Sequence, residues 1–249
     1  MNTRLQSSED YCITNLVSCS VERLHKAFGG IRAVWDLTFS IQDRQVLGLI
    51  GPNGSGKTTV MNLIAGFHRP DAGDVYFNGR RLTGRAAYDI ARLGLVRTWQ
   101  DPRIIPHLTT RQNIELGAFA SGNNNHSDET QINKLLQNFQ LTTAEQQLVG
   151  TLPYGTQKII ALARTLAAKP RLLLLDEPLA GLSADHRNCV IEAVQQFRST
   201  GAVLIVDHSF GVIAKLCDRV LVLNAGQLIA EGTPAEIEAD PKVAEVYFG

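Results

Sequence analysis

The nine residues Gly51-Pro52-Asn53-Gly54-Ser55-Gly56-Lys57-Thr58-Thr59 limit what this chain can fold into more than any other stretch. They fit G-x-x-x-x-G-K-[ST] and lie between the apolar run Val46-Leu47-Gly48-Leu49-Ile50 and a helix-like run from Thr58 to Gly66. A strand feeding such a loop, with a helix opening directly after it, is the setting a phosphate-binding loop needs. Gly54 and Gly56 can take positive φ, which lets successive backbone N–H groups turn inward around an anion. The first helical turn adds unpaired donors and the positive end of its dipole. Lys57 supplies a point charge for the outer phosphates, and the Thr58 hydroxyl can ligate Mg²⁺. Asn53, Ser55 and Thr59 complete the nucleotide-contacting stretch. A glycine-rich surface turn with a chance lysine would leave the flanking strand and helix patterns unexplained.

The flanking segments set the rest of the architecture. Val17, Cys19 and Val21 alternate with serines and Glu22, as a half-buried strand would. Ala33 to Ile41 alternates likewise, and Asp74 to Phe77 followed by Asn78-Gly79 predicts a hairpin with a type I′ turn. Leu95 to Trp99 reads as a short buried strand ending at Gln100. Thr109 and Gln112 form a capping-box pattern that opens a helix to about Phe119. The polar tract Ser121 to Asp128 is expected to be a flexible loop, with a helix from Glu129 to Phe139 after it. No strand is evident from Gln100 to Leu152, which predicts an inserted helical subdomain, roughly residues 101–152.

Beyond the insert, a mostly apolar helix from Gly155 to Ala168 precedes Arg171-Leu172-Leu173-Leu174-Leu175-Asp176, the pattern of a parallel strand buried on both faces. Helix Ala184 to Phe197, strands Ala202 to Val206 and Arg219 to Leu223, and a turn at Ala225-Gly226 before Leu228 to Ala230 continue the series. Thr233-Pro234-Ala235-Glu236 is expected to cap the final helix. The fold class is therefore α/β: a P-loop NTPase core with a parallel central sheet, an N-terminal antiparallel β subdomain and the helical insert. Residues 1–16 form a tail, expected to be partly disordered, and 17–249 a single domain.

Composition narrows the function classes. Formal net charge is zero, so no overall field gathers nucleic acid or an anionic membrane surface. The longest apolar runs, around Leu172 to Leu175 and Ala202 to Val206, fall far short of a membrane span. Met1 to Asp10 is polar and lacks an apolar signal core, and the expected location is cytoplasmic. Cys12, Cys19, Cys189 and Cys217 form no C-x-x-C pair and are expected to be reduced thiols. Two glycosylation sequons carry no weight, one being the phosphate loop itself.

Three further residues carry chemistry. Asp176 closes the leucine strand, where a carboxylate can reach Mg²⁺ held by nucleotide and Thr58. Glu177 follows and can deprotonate attacking water, a role worth ~10²–10⁴ in rate. Taken alone the pair also fits two solvated carboxylates at a strand end; the buried run and the upstream loop favour catalysis. His208 lies at the C-terminal edge of another strand, where open α/β sheets bind ligands, although a lone histidine is more often structural.

Leu152-Pro153-Tyr154-Gly155-Thr156-Gln157 precedes the apolar helix. With it, the order phosphate loop, Gln100, L-x-Y-G-x-Q, Leu-Leu-Leu-Asp-Glu-Pro, Leu179-Ala180-Gly181-Leu182-Ser183 and His208 resembles an ATP-binding cassette ATPase over roughly Val17 to Gly249. Phe28-Gly29-Gly30, Val96-Arg97-Thr98-Trp99-Gln100, Tyr154-Gly155, Ala230-Glu231-Gly232-Thr233-Pro234 and Asp240-Pro241 look like the ATP-binding subunits of branched-chain or hydrophobic amino-acid uptake systems.

The resemblance implies ATP and Mg²⁺ as ligands, and ATPase activity that energises a membrane importer. Phe28 would stack on adenine. Thr58, Gln100 and Asp176 would serve Mg²⁺. Lys57, Gln100, Glu177 and His208 would serve hydrolysis. Tyr154 and Gly155 would face the nucleotide of a second ATPase subunit in a head-to-tail pair, with backbone donors aimed at its γ-phosphate. Segment Asp101 to Arg111 would receive a coupling helix of the transmembrane permease, and a substrate-binding protein would deliver the solute. The expected place is the cytoplasmic face of the inner membrane, peripheral through the permease.

Three residues depart from the family pattern. Serine is common where Pro153 stands, glutamine or glycine where Thr156 stands, and aspartate where Ser183 stands. Proline suits the first helical turn but removes a hydroxyl and a backbone donor. In a heterodimer the two composite sites would then be unequal, the better one on this chain. Ser183 is expected to be a helix N-cap. Other readings are a soluble cassette acting on nucleic acid or ribosomes, without the paired cassettes or basic patches usual there, or an importer of another small solute such as urea. A P-loop kinase or GTPase is disfavoured: Asn133-Lys134-Leu135-Leu136 lacks the guanine-reading aspartate.

Overall fold

The computed structural model describes residues 17–120 and 129–248. The expectations for the N-terminal tail and for the polar tract Ser121 to Asp128 lie outside those residues. Strands β1 (Val17–Phe28), β2 (Ile31–Gln42), β3 (Val46–Ile50), β4 (Ala72–Phe77) and β5 (Arg80–Arg81) surround helix α1 (Lys57–Ile64). Helix α2 (Ala87–Arg92), strand β6 (Leu95–Arg97), α3 (Thr110–Ala120), α4 (Glu129–Asn138) and α5 (Tyr154–Ala167) follow. Strand β7 (Leu172–Asp176), α6 (Ala184–Phe197), β8 (Ala202–Val206) and α7 (Phe210–Leu216) continue the chain. It closes with β9 (Arg219–Asn224), β10 (Gln227–Gly232), α8 (Pro234–Ala239) and the single turn α9 (Pro241–Val243), before a last turn at Ala244–Phe248.

Two sheets result. The N-terminal sheet has the order β2-β1-β4-β5 and is antiparallel, and the second has the order β10-β9-β3-β8-β7-β6. The second is parallel from β9 to β6, with β10 antiparallel at its edge. This is the expected α/β cassette. The leucine strand β7 lies between β6 and β8 and is buried throughout. Its alternate residues serve different layers. Leu172 and Leu174 pack with α1 and the antiparallel sheet, whereas Leu173 and Leu175 pack with the helices on the far face.

Local chemistry explains most boundaries. Asn78 and Gly79 both have positive φ (47° and 72°), as the β4–β5 hairpin turn requires. Thr109 and Gln112 exchange the reciprocal bonds of a capping box, Gln112 Oε1 accepting from Thr109 N at 2.9 Å and Thr109 Oγ1 from Gln112 N at 3.2 Å. Ser183 Oγ accepts from His186 N, which makes it the N-cap of α6. Thr233 and Glu236 cap α8 in the same reciprocal way.

Several expectations need correction. Val17 is exposed and Ser18 buried beside Cys19, because a register shift between Val17 and Cys19 breaks the alternation in β1. Strand β6 ends at Arg97, not Trp99; it pairs with β7 alone and gains no second ladder. Pro153 stands at the N-cap of α5 (φ −56°, ψ 147°), one position before the helix, with no side-chain cap bond. Helix α8 is not final, because Asp240 caps a further turn at Pro241. Between residues 101 and 152 the described residues hold α3, α4 and two short 3₁₀ turns, with one isolated bridge between Thr109 and Leu148.

Candidate nucleotide site

Strand β3 is buried at every residue and delivers the chain to the C-terminal edge of the parallel sheet, where the loop turns into α1. Gly51 (φ 150°), Gly54 (φ 78°) and Gly56 (φ 105°) shape that turn. Two of them are also sterically obligatory. A Cβ on Gly51 would fall 2.1 Å from Leu223 O, and one on Gly56 would fall 2.2 Å from Ala33 O. A Cβ on Gly226, in the β9–β10 turn, would fall 2.9 Å from the same carbonyl, and the residue donates from its N–H to Ser55 O at 3.0 Å and accepts from Trp35 N at 2.8 Å. The loop is therefore fastened between β2 and the β9–β10 turn.

Lys57 is the first residue of α1 and is buried. Its Nζ donates to Gly51 O at 2.8 Å and Pro52 O at 2.9 Å, which holds the amine within the loop. Burial lowers its pKa, and the nearby charges of Glu177 and Asp176 push it back up. Ser55 Oγ is buried with no hydrogen-bond partner among the described residues, an acceptor and donor left for a ligand. Asn53, Gly54 and Thr58 are exposed at the loop surface, and Thr59 is half-buried.

The carboxylates arrive from β7. Asp176 is buried at its end, and its Oδ2 accepts from Arg97 Nη2 at 2.7 Å. Glu177 adopts the left-handed backbone region (φ 46°), which costs a non-glycine residue about 1–3 kcal/mol. Its N–H donates to Val206 O at 2.8 Å, which ties the turn to β8. The side chain is held from two sides. Gln100 Nε2 donates to Oε2 at 3.0 Å, and His208 Nε2 lies 2.6 Å from Oε1. Three residues far apart in sequence thus meet at the same edge of the sheet.

The remaining expected residues lie farther out. Tyr154 is half exposed at the start of α5, and its hydroxyl donates to Gln100 O at 3.3 Å and Asp101 Oδ1 at 3.4 Å. A Cβ on Gly155 would sit 3.3 Å from His186 Nδ1, so α5 and α6 approach closely there. Phe28 is exposed at the end of β1; its ring partners are His68, edge-on at 5.3 Å, and Lys26 Nζ at 5.3 Å, not the loop.

Sequence reasoning missed three groups around this edge. Arg97 is buried, pairs with Asp176, and also donates from Nη1 to Asn62 Oδ1 on α1. Its signals were an arginine in an apolar three-residue strand and its place in the stretch Val96 to Gln100, neither of which names its partner. Lys158 of α5, also buried, donates to Glu177 O at 3.1 Å and Ala180 O at 2.9 Å. Asp207, buried beside His208, has its pKa raised chiefly by burial.

The donor set fits a nucleotide with Mg²⁺. Among the described residues no three His, Cys, Asp or Glu side chains cluster as a protein-only metal cage. Thr58 offers a hydroxyl and Asp176 a carboxylate, oxygen groups of the kind Mg²⁺ accepts when phosphate oxygens and water fill its other positions. A cavity of about 640 Å³ between α4 and α6 contains none of these residues.

Comparison with known proteins agrees with the geometry. Residues 34–180 match the ABC transporter family, and residues 227–249 match the branched-chain amino acid ATP-binding cassette transporter family. The chain is 32% identical over 246 residues to the high-affinity branched-chain amino acid transport ATP-binding protein BraF of Pseudomonas aeruginosa, covering 92% of this chain and 96% of that protein. It is 30% identical over 247 residues to the corresponding protein LivG of Escherichia coli, covering 92% and 97%. A crystal structure of a nucleotide-free ATP-binding cassette from an ABC transporter superposes with a TM-score of 0.82 at 28% identity, covering 94% of this chain and 100% of that one. The ADP conformation of such a cassette gives 0.83, also at 28% identity, covering 94% and 99%.

Proposed function

The chain belongs to the ABC transporter family, and from that premise we propose that it is the ATP-hydrolysing subunit of a membrane importer for branched-chain or other hydrophobic amino acids. The observation that carries the reading is the Glu177 carboxylate, gripped by Gln100 and His208 at the sheet edge that also presents the phosphate loop. In this proposal the loop N–H groups, Ser55 and Lys57 bind the phosphates of ATP, and Phe28 contacts the base. Lys57 turns its amine from the loop carbonyls to the outer phosphates. Glu177 orients a water and takes its proton while His208 and Gln100 hold the carboxylate in place. Thr58 and Asp176, with Gln100 nearby, would hold Mg²⁺, which when bound offsets charge on the phosphoryl oxygens.

The proposed working form is a pair of ATPase subunits, this chain with a different one, seated on the permease through the segment around Asp101 to Arg111. Tyr154 and Gly155 serve the partner's nucleotide. Pro153 leaves α5 without a side-chain cap at that interface, which favours unequal sites. No described helix is long and apolar enough to cross a membrane, and the proposed association is peripheral, at the cytoplasmic face.

The test is ATPase and leucine uptake by the assembled transporter in lipid vesicles. Lys57→Ala is expected to weaken ATP binding, whereas Glu177→Gln keeps binding and stalls turnover by at least ~10². The matching glutamate of the second subunit is changed separately, and a smaller loss is expected there. Full ATPase in Glu177→Gln removes Glu177 as the base, and ATPase without leucine uptake removes the cargo.

A further inference from the structure

Strand β6 ends one residue short of Thr98, and its last side chain points to the chemistry, not to solvent. Arg97 is buried, with a side-chain exposure of 3%, and so is its partner Asp176, at 7%. Two charges do not leave water without a compensating geometry. Here the guanidinium is divided between two acceptors on separate elements. Nη2 donates to Asp176 Oδ2 on β7, and Nη1 donates to Asn62 Oδ1 on α1, the helix that the phosphate loop opens. The bond engages Oδ2 alone, which leaves Oδ1 as a donor atom for a metal.

The other side of the guanidinium lies against an aromatic ring. Its Cζ is 4.5 Å from the centroid of Trp99, and the Cζ of Arg103 is 3.7 Å from the same centroid. Phe67, just beyond α1, packs edge-on to that indole at 4.7 Å. Arg103 in turn belongs to a segment clamped by α5, because Arg164 Nη2 donates to Pro102 O at 3.2 Å and to Arg103 O at 2.8 Å. Asp176, Arg97, Trp99, Arg103 and the stretch after Gln100 are thus physically continuous.

We propose that Arg97 is a positioning residue for the Asp176 carboxylate, and that the indole of Trp99 reports and transmits its displacement to the segment at Pro102 and Arg103. The proposal rests on the reading of Asp176 as a magnesium-binding carboxylate. A fork with two fixed acceptors sets the torsion of the carboxylate before any metal arrives, as outer-shell partners of metal ligands do. Charge alone would not suffice, because a lysine amine cannot span Asn62 and Asp176 with a planar fork. When Mg²⁺ and nucleotide draw on Asp176, the guanidinium shifts against Trp99, and the cation–π contact with that ring changes.

Calorimetric titration of the full chain with ATP, once with Mg²⁺ and once with EDTA, tests the positioning. Arg97→Gln is expected to lose about tenfold of the affinity that Mg²⁺ adds, with binding in EDTA unchanged; Arg97→Lys falls between the two. In a Trp35→Phe background Trp99 is the sole indole, and its emission is expected to respond to Mg–ATP, not to ATP in EDTA, and to lose that response in Arg97→Gln. Should Arg97→Gln fail to fold, Arg97→Lys carries the test. A full magnesium gain with an unaltered Trp99 response in the lysine variant overturns the proposal. Asp176→Asn separates the two levels. If it keeps the magnesium gain, the metal reading of Asp176 itself falls; if it loses the gain while Arg97→Gln keeps it, only the positioning role of Arg97 falls.

Discussion

Replacing Lys158 with methionine keeps the length of the side chain and removes its charge, and the structure sets the size of the effect. The amine donates to Glu177 O at 3.1 Å and Ala180 O at 2.9 Å, just where Glu177 sits in the left-handed region. Hydrogen bonds from a cation contribute about 1.5–3 kcal/mol each. Part of this is offset, since burial already lowers the Lys158 pKa and the charged amine is costly to keep there. A net loss of about 2 kcal/mol remains. That equals most of the ~1–3 kcal/mol stored in the Glu177 backbone, so the strained turn is no longer over-determined. Expressed in the catalytic geometry, the loss lowers kcat about tenfold to thirtyfold. KM for ATP is expected to hold, because the loop is fastened by other elements. The assay is steady-state ATPase of the assembled transporter beside a thermal melt of the isolated chain. A lowered Tm with unchanged kcat would show that Lys158 only fastens α5, and the positioning argument would be wrong.

Two further substitutions probe the loop and its surroundings. Gly56→Ala should abolish nucleotide binding or folding, because its Cβ would lie 2.2 Å from Ala33 O, whereas Gly54→Ala, with no atom within 4 Å, should cost only the ~1–2 kcal/mol of a left-handed alanine. Thermal melts and ATP affinity rank the two, and equal damage would refute the steric reading. Asp207 is buried, its Oδ1 accepts from Ser209 N at 2.9 Å, and its Oδ2 has no partner among the described residues. Burial and the charge of Glu177 raise its pKa, while His208 and the Ser209 N–H lower it less. A raised folded-state pKa means that the folded chain holds this proton more tightly, so the group costs stability as pH climbs past the ordinary carboxylate range. Asp207→Asn should therefore gain about 1 kcal/mol at neutral pH, a Tm rise of about 2–4 °C, and the gain should fade on acidification. A gain that grows on acidification would reverse the sign of the argument.

What could be read in advance followed from periodicity and local chemistry. The loop, the leucine strand and the capping residues Thr109, Ser183 and Thr233 each declare themselves within a few neighbouring positions. Helices α2 and α7, of 6 and 7 residues, are too short to show a 3.6-residue period and went unread. The register shift in β1 depends on a partner strand, not on the residues of β1. Arg97 and Asp176 are separated by 79 positions, and Lys158 and Glu177 by 19, so nothing local announces either contact. A buried lysine on a mostly apolar helix looks like one more solvated side chain until its acceptors are known. The meeting of Gln100 and His208 on Glu177 was legible only as shared placement at one sheet edge.

The grip of β2 and the β9–β10 turn on the phosphate loop has a thermodynamic consequence. A cradle tied at Ser55 O by the Gly226 N–H, with the carbonyls of Ala33 and Leu223 leaving no room for side chains at Gly56 and Gly51, has little disorder left to surrender when a triphosphate arrives. Its contribution to affinity is then close to the full value of its contacts. Any work that nucleotide does on the rest of the molecule must come from parts whose shape is not fixed beforehand.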